Sequence, residues 1–243
     1  MLLFMHVFFA LLCAAIAYLL GSCSFAILVT KLLYHKDIRT FGSGNAGMTN
    51  VLRTFGKGAA ALTIVGDIGK GIVAVLLSKW IFGAFTSISP VYGAYIAAFF
   101  AVIGHIYPLY FGFKGGKAVS VATGTIIAIE PILVLPLLAV FLLVFLCSKM
   151  VSLASICCAV LYPVVTWIYF NWMGHDVVFT TIGAAVIGGL VLWMHRSNIK
   201  RILAGTEYKF GQKKKQTDAP QNAASIDAAA AAPVKTNEKG TDK

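Results

Sequence analysis

The polar residues of this sequence gather in a few short clusters, and the first is rich in groups that hold phosphate. It contains Ser43, Gly44, Asn45, Gly47, Thr49, Asn50 and Arg53. Glycines let a backbone fold tightly and point several N–H groups at one anion. Arginine adds a planar fork of donors that matches a phosphate. The cluster therefore indicates a phosphate site more than a flexible loop between helices.

A second cluster combines His105 with the run Lys114-Gly115-Gly116-Lys117. Either lysine alone would be typical of a membrane-side anchor, and a single histidine is more often packed than catalytic. Two lysines around a Gly-Gly turn at a helix start are a suitable seat for an anion. Taken together, these residues predict a second anion site.

Three further features carry polar chemistry near or inside apolar segments. Ser152 and Ser155 mean little by themselves, because serines are ordinary at helix–helix contacts, whereas His195 and Asn198 are three residues apart and would share one face of a helix. Arg196 lies between them and Glu207 follows nine residues after Asn198, in a basic stretch. Asp67 and Lys70 are also three apart, inside an apolar segment, where they could be either a functional pair or a helix-packing ion pair.

Composition excludes a soluble protein. The 243 residues are 59% hydrophobic and 12% charged, about half the charged share of a soluble domain. The apolar segments are continuous instead of alternating, which argues against a barrel. We therefore predict an all-α polytopic membrane protein. The net charge of +11 places basic residues beside lipid and does not indicate nucleic-acid binding.

The apolar segments set the number of crossings. They cover 2–33, 58–82, 90–111, 118–147, 151–172 and 177–193, with a polar loop expected over 40–57. The fourth segment contains Glu130-Pro131, and a turn there would split it into two short arms. Six crossings remain the alternative. Seven, some of them short or kinked, place almost every basic loop on one side, so we predict the N-terminus outside and the C-terminus in the cytoplasm.

The last part of the chain differs in composition from the rest. Residues 211–243 are rich in Lys, Gln, Asp, Thr and Ala, which cannot bury a core. We predict a transmembrane domain over 1–210 and a disordered basic, alanine-rich cytoplasmic tail over 211–243. The sequence has no Cys/His set with metal-ligand spacing, so no metal is expected.

The clusters resemble three motifs of one family. They read Ser43-Gly44-Asn45-x-Gly47-x-Thr49-Asn50-x-x-Arg53-x-x-Gly56, then Gly104-His105-x-x-Pro108 with Phe113-Lys114-Gly115-Gly116-Lys117, then His195-Arg196-x-Asn198-Ile199 with Arg201, Gly205 and Glu207. In this order they are similar to the PlsY family of bacterial acyl-phosphate:glycerol-3-phosphate acyltransferases. The resemblance implies a multi-pass plasma-membrane enzyme of phospholipid synthesis that makes lysophosphatidic acid and phosphate. It also implies a cytoplasmic active site, no cofactor, and a functional link to an enzyme that produces acyl phosphate.

The resemblance also implies roles for single residues. The catalytic set would be Ser43, Arg53, Lys114, His195 and Asn198. The substrate-binding set would be Gly44, Asn45, Gly47, Thr49, Asn50, His105, Gly115, Gly116, Lys117, Ser152, Arg196 and Glu207. After Lys117 the sequence departs from the usual family spacing, so either Ser120 or Thr123 could line the site.

An acyl phosphate has a good leaving group, and no catalytic triad is present, so charge neutralisation and positioning would do most of the work. The base could be His195 or a phosphate oxygen of the donor, and we favour the donor because His195 has no obvious orienting carboxylate in the sequence. A transporter for a phosphorylated metabolite is the leading alternative, since interrupted helices and basic half-loops also suit anion transport. A purely structural membrane protein would leave the three motifs unexplained.

Overall fold

The computed structural model describes residues 2–174 and 176–212, and the regular structure in that part of the chain is helical. Its α-helices are α1 Leu2–Ser22, α2 Phe25–Tyr34, α3 Met48–Phe85, α4 Pro90–Ile106, α5 Val119–Ile129, α6 Val134–Ser148, α7 Val151–Met173, α8 Val177–Met194 and α9 Arg196–Leu203. This confirms the prediction of an all-helical protein. The predicted tail from residue 213 onward lies outside the described residues, so its disorder stays a prediction.

Six helical segments of the described chain are long and apolar enough to cross a membrane. They are Leu2–Tyr34, Met48–Phe85, Pro90–Phe111, Pro131–Ser148, Val151–Met173 and Val177–Met194. The remaining apolar helix, α5, has 11 residues and is shorter than the ~20 that a helix needs to span a bilayer. The break between α5 and α6 falls at Glu130-Pro131, as predicted, because proline disfavours helix in the residue before it.

Two predicted boundaries differ from the structure. The first apolar segment is broken between Ser22 and Phe25 into α1 and α2. The loop predicted over 40–57 is wrong in its second half, since α3 already begins at Met48. The glycine-rich sequence concealed this start, because glycine lowers helix propensity. Gly56, with a φ of 86°, interrupts the helical backbone inside α3 and kinks the helix.

Glycines bring the helices into close contact. A side chain at Gly21 of α1 would meet the backbone of Ala101 in α4, and one at Gly71 of α3 would meet the backbone of α5. Gly188 of α8 lies in the same way against Ala159 of α7. Small residues at such crossings let the backbones approach closely. In lipid, where there is no hydrophobic driving force between helices, this close packing stabilises their association. The resulting groups, α1-α3-α4-α5 and α6-α7-α8, face each other across a cavity.

Candidate active site

A cavity of about 610 Å³ lies where the polar clusters meet. The predicted site residues that line it are Ser43, Asn45, Gly47, Thr49, Asn50, Arg53, His105, Lys117, Ser152, His195, Asn198 and Glu207. Segments far apart in sequence thus form one polar wall. Ser120 and Thr123, the two alternatives left open by the sequence, both line the cavity.

The first glycine loop is shaped by the side chain of Asn50, which is 2% exposed. Its amide nitrogen donates to the carbonyl oxygens of Phe41 (2.9 Å) and Asn45 (3.1 Å) and, more weakly, to that of Ile38 (3.3 Å). Its oxygen accepts from the backbone N–H of Ser43 at 3.0 Å. Both ends of the amide are therefore used inside the loop. Asn50 therefore holds the loop in shape and also lines the cavity, and its role in substrate binding stays a prediction.

The second glycine loop folds back on the end of α4. The backbone N–H groups of Gly115 and Gly116 donate to the carbonyl oxygens of Ile106 (3.1 Å) and His105 (3.2 Å). The chain then enters α5 at Ala118, so that Lys117 points into the cavity at the start of this helix. A helix start with a lysine beside it attracts anions.

The carboxylate of Glu207 accepts hydrogen bonds from several donors that line the cavity. Its Oε1 accepts from Ser152 Oγ (2.6 Å) and from Asn198 Nδ2 (2.7 Å). Its Oε2 accepts from Arg201 Nε at 2.7 Å. The Asn198 Oδ1 in turn accepts from Lys117 Nζ. A carboxylate repels phosphate and has no proton to donate, so Glu207 orients the groups that can bind an anion.

Electrostatics follow from this packing. Burial and the nearby positive charges of Arg201 and Arg53 together lower the pKa of Lys117 to about 8, against the opposing effect of Glu207. Burial would raise the pKa of Glu207, but the hydrogen bonds from Ser152, Asn198 and Arg201 outweigh it and hold that pKa below its usual value. The site is thus positive overall and carries a lysine that titrates close to physiological pH.

His195 lies at the end of α8 and is 3% exposed. Its Nδ1 is 2.7 Å from the carbonyl oxygen of Val191, which can only accept, so Nδ1 carries the proton and Nε2 is left as an acceptor. Burial lowers the pKa of His195 to about 4, although the bond to Val191 opposes the shift. A histidine with so low a pKa is neutral at pH 7 and is a weak general base.

Two residues of this site were not assigned a role from sequence. The guanidinium carbon of Arg53 lies 3.6 Å from the ring centroid of Tyr208, a stacked cation–π contact that orients Arg53. Arg201 lines the cavity and pairs with Glu207. Their segment is held over the cavity by the Phe210 N–H, which donates to the Lys149 carbonyl oxygen at 2.7 Å. Arg201 belongs to the third motif matched in the sequence, although no role was predicted for it, whereas nothing in the sequence pointed to Tyr208.

Five predicted residues do not line the cavity. Gly44, Lys114 and Gly115 line a separate pocket with Asp37 and Arg39. Lys114 is exposed there, and its carbonyl oxygen accepts from Arg39 at 3.2 Å. The structure therefore separates Lys114, predicted to be catalytic, from the other catalytic candidates, because the turn at Gly115-Gly116 sends only Lys117 inward.

The other two residues outside the cavity are Arg196, which is exposed, and Gly116, which is buried. Arg196 is exposed, and its guanidinium donates to the Trp193 carbonyl oxygen at 3.0 Å, which directs it away from the site. Gly116 is buried against His105 and Ala46 and leaves no room for a side chain. Arg196 thus has no geometric support as a substrate ligand, whereas Gly116 acts through packing.

Much of the cavity lining is apolar. Its lining residues include Ile64, Ile68, Ile126, Val134, Leu137, Leu138, Phe141, Ile187 and Val191. Along α7 the lining runs from Ser152 to Tyr162, about 15 Å at 1.5 Å per residue. The site can therefore hold an anionic head at one end and an aliphatic chain at the other.

Comparisons with known proteins agree with this geometry. A profile of a family described as glycerol-3-phosphate acyltransferase matches residues 11–205. A glycerol-3-phosphate acyltransferase of Clostridioides difficile (strain 630) is 42% identical over 86% of this chain and 100% of its own length. One from Bordetella pertussis (strain Tohama I) is also 42% identical, over 82% of this chain and 91% of its own.

Two solved structures are similar in fold. Both are crystal structures of PlsY (YgiH), an integral membrane glycerol 3-phosphate acyltransferase. The glycerol 3-phosphate form has a TM-score of 0.71 and 37% identity, covering 83% of this chain and 96% of that one. The lysophosphatidic acid form has a TM-score of 0.68 and 36% identity, covering 83% and 95%.

Proposed function

The chain belongs to the glycerol-3-phosphate acyltransferase family, and from this premise we propose that it transfers an acyl group from an acyl phosphate to glycerol-3-phosphate. The products are lysophosphatidic acid and phosphate. The observation that carries the proposal is the cavity with a cationic end, at Arg53 and Lys117, and an apolar end between the helices. It suits two phosphate-bearing substrates, one of which has a long chain.

The positive end overcomes the repulsion between two phosphates. Arg53 is stacked on Tyr208, and Lys117 is held by Asn198, so both cations are positioned before substrate arrives. We assign glycerol-3-phosphate to the wall of Arg53, Lys117, Ser152 and Asn198. We assign the donor phosphate to the backbone N–H groups of the first glycine loop near Ser43. Lys117 takes the role that the sequence suggested for Lys114.

The reaction forms one carbon–oxygen bond, breaks another and moves one proton. A hydroxyl oxygen of glycerol-3-phosphate attacks the acyl carbonyl carbon, and the bond between that carbon and the phosphate oxygen breaks. The hydroxyl proton passes to an oxygen of the departing phosphate. His195 is neutral with Nε2 as an acceptor, so it orients the hydroxyl without taking the proton. Proximity and electrostatic stabilisation supply the rate.

The test is acyl transfer by purified protein in detergent. Labelled glycerol-3-phosphate is supplied with palmitoyl phosphate or, separately, with an acyl thioester. We expect lysophosphatidic acid from the acyl phosphate alone. Arg53→Ala should abolish it, whereas Arg196→Ala, which changes an exposed arginine outside the cavity, should not. Absence of product from both donors in folded protein would refute the proposal and favour a transporter, which acts only across a sealed membrane.

We also propose seven crossings, with α5 and α6 as separate arms, the N-terminus outside and the active site facing the cytoplasm. The positions of Lys114, Lys117 and Lys149 support this orientation, because basic loops are retained on the cytoplasmic side. In a cysteine-free variant, a cysteine at Lys114 should react with an impermeant maleimide only after cells are opened, and one at Ser87 should react in intact cells. The reverse pattern would overturn the orientation.

A further inference from the structure

Three charged or titratable side chains lie together inside the helical bundle and have no role in the proposed reaction. Asp67 and Lys70 are on α3, and His105 is on α4, with side chains 1%, 4% and 3% exposed. Asp67 and His105 also line the cavity. Charges are rarely buried in a membrane helix without a function, so their geometry is informative.

The Lys70 ammonium is surrounded by three polar atoms. Its Nζ lies 2.8 Å from Asp67 Oδ1, 2.7 Å from the carbonyl oxygen of Cys23 and 3.0 Å from His105 Nδ1. An ammonium has three donors and no acceptor, so Lys70 donates to the Cys23 carbonyl oxygen and to His105 Nδ1, and its contact with Asp67 is an ion pair. The carbonyl oxygen of Cys23 lies at the break between α1 and α2, which ties this break to α3 and α4.

This arrangement determines the tautomer of His105. Because Lys70 can only donate, His105 Nδ1 must accept and cannot carry a proton. The proton of the neutral ring then lies on Nε2. Asp67 Oδ1 is 3.6 Å from His105 Nδ1, which is longer than a hydrogen bond. The carboxylate therefore neutralises Lys70, and His105 Nδ1 remains free to accept the hydrogen bond from Lys70.

The Nε2 side of His105 faces the meeting point of the two glycine loops. A side chain added at Gly116 of the second loop would collide with His105 Nε2 and with the carbonyl oxygen of Ala46 in the first loop. The Gly116 N–H donates to the carbonyl oxygen of His105 as well. The orientation and tautomer of one imidazole therefore influence how both loops are placed.

We propose that Lys70 is a positioning residue that fixes His105 as the neutral tautomer with its proton on Nε2, at the junction of the two loops that hold the substrates. Asp67 supplies the counter-charge that lets Lys70 remain an ammonium in the bundle. The effect on turnover rests on the function proposed above, but the tautomer does not, and it can be measured without substrate.

The first measurement is nitrogen NMR of protein with 15N-labelled histidine in detergent. The chain has five histidines, and His105→Gln identifies the signals of His105 by their loss. We expect the Nδ1 signal of an unprotonated acceptor and the Nε2 signal of a protonated donor. A proton on Nδ1, or a doubly protonated ring at pH 7, would overturn the proposal without reference to activity.

The second measurement uses a double variant, Asp67→Asn with Lys70→Met. It removes both charges, so that neither side chain is left as an unpaired charge inside the bundle. We expect the His105 Nδ1 signal to move away from the acceptor position and kcat/KM to fall at least tenfold. The matched control is Lys79→Met on the same helix, whose Nζ donates to the carbonyl oxygens of Ala128 (3.2 Å) and Ile129 (3.3 Å). It should keep the His105 signals and kcat/KM within about threefold of wild type.

The outcomes separate the two proposals. Wild-type tautomer signals or an unchanged kcat/KM in the double variant would refute the positioning role of Lys70. An equal loss of kcat/KM in Lys79→Met would do the same, because any change of a lysine on α3 would then suffice. Absence of activity in the wild-type protein would refute the proposed function and leave the NMR result standing.

Discussion

The titration of Lys117 gives the sharpest prediction for the active site. Burial and the neighbouring arginines lower its pKa to about 8, so at pH 7 most of the population still carries the ammonium that faces the cavity. At pH 9, one unit above this pKa, only about a tenth is charged. If the ammonium is needed to bind a phosphate, kcat/KM should fall about tenfold between pH 7 and pH 9.

The direction of the effect can be checked against the bound state. A phosphate next to Lys117 favours the charged form and raises its pKa. Since kcat/KM reports the free enzyme and kcat reports the complex, the alkaline limb should appear near pH 8 in kcat/KM and at higher pH in kcat. Initial rates are measured from pH 6 to 9.5 in detergent, with subtraction of the spontaneous hydrolysis of acyl phosphate.

Two variants make the assignment specific. Lys117→Arg keeps its charge at every pH of the series, so its kcat/KM should show no limb near pH 8. Lys114→Arg changes an exposed lysine outside the cavity and should keep the limb of the wild-type protein. A wild-type profile that is flat to pH 9.5, or an unchanged limb in Lys117→Arg, would refute the reasoning.

Three further predictions concern other parts of the cavity. His195→Gln should lower kcat about tenfold or less, because the pKa of His195 is about 4 and the neutral ring is a weak base. Between pH 5.5 and 8 the pH profile of the variant should show no limb that the wild-type profile lacks. A loss of about 10²–10⁴-fold in kcat would instead indicate a general base. Asn50→Ala should cost about 3 kcal/mol in thermal unfolding, since its loop loses several buried hydrogen bonds of about 1 kcal/mol each; an unchanged midpoint would contradict this. Tyr162→Ala should shift selectivity toward longer acyl phosphates by opening the deep end of the cavity, whereas Tyr162→Phe should keep the wild-type chain-length profile in the same competition assay.

The sequence predicted the elements that depend on local composition. Continuous apolar segments predicted helices in a membrane, because a backbone in lipid must satisfy its own hydrogen bonds. The helix break at Glu130-Pro131 followed from the geometry of proline. The start of α3 was missed, since glycine-rich sequence is typical of loops, whereas in the structure Gly47 is the N-cap and the helix begins at Met48.

Residue types also predicted most of the site. Arg53, Lys117 and His195 were candidates because of their chemistry and motif order, and the structure brings them to one cavity. Lys114 and Lys117 could not be told apart from sequence, since both flank the same Gly-Gly turn. The direction of the turn separates them, and it is fixed by hydrogen bonds to the end of α4.

The sequence by itself therefore determined that this chain is a helical membrane protein with phosphate-binding motifs, because those properties reside in composition, short-range spacing and residue type. Only the tertiary structure decided which groups share a site and in which state. The pKa of Lys117, the proton on His195 Nδ1 and the pairing of Lys70 with His105 depend on burial and on partners that are distant in the chain. Electrostatic interactions act over a few ångströms in space, and sequence separation does not report that distance.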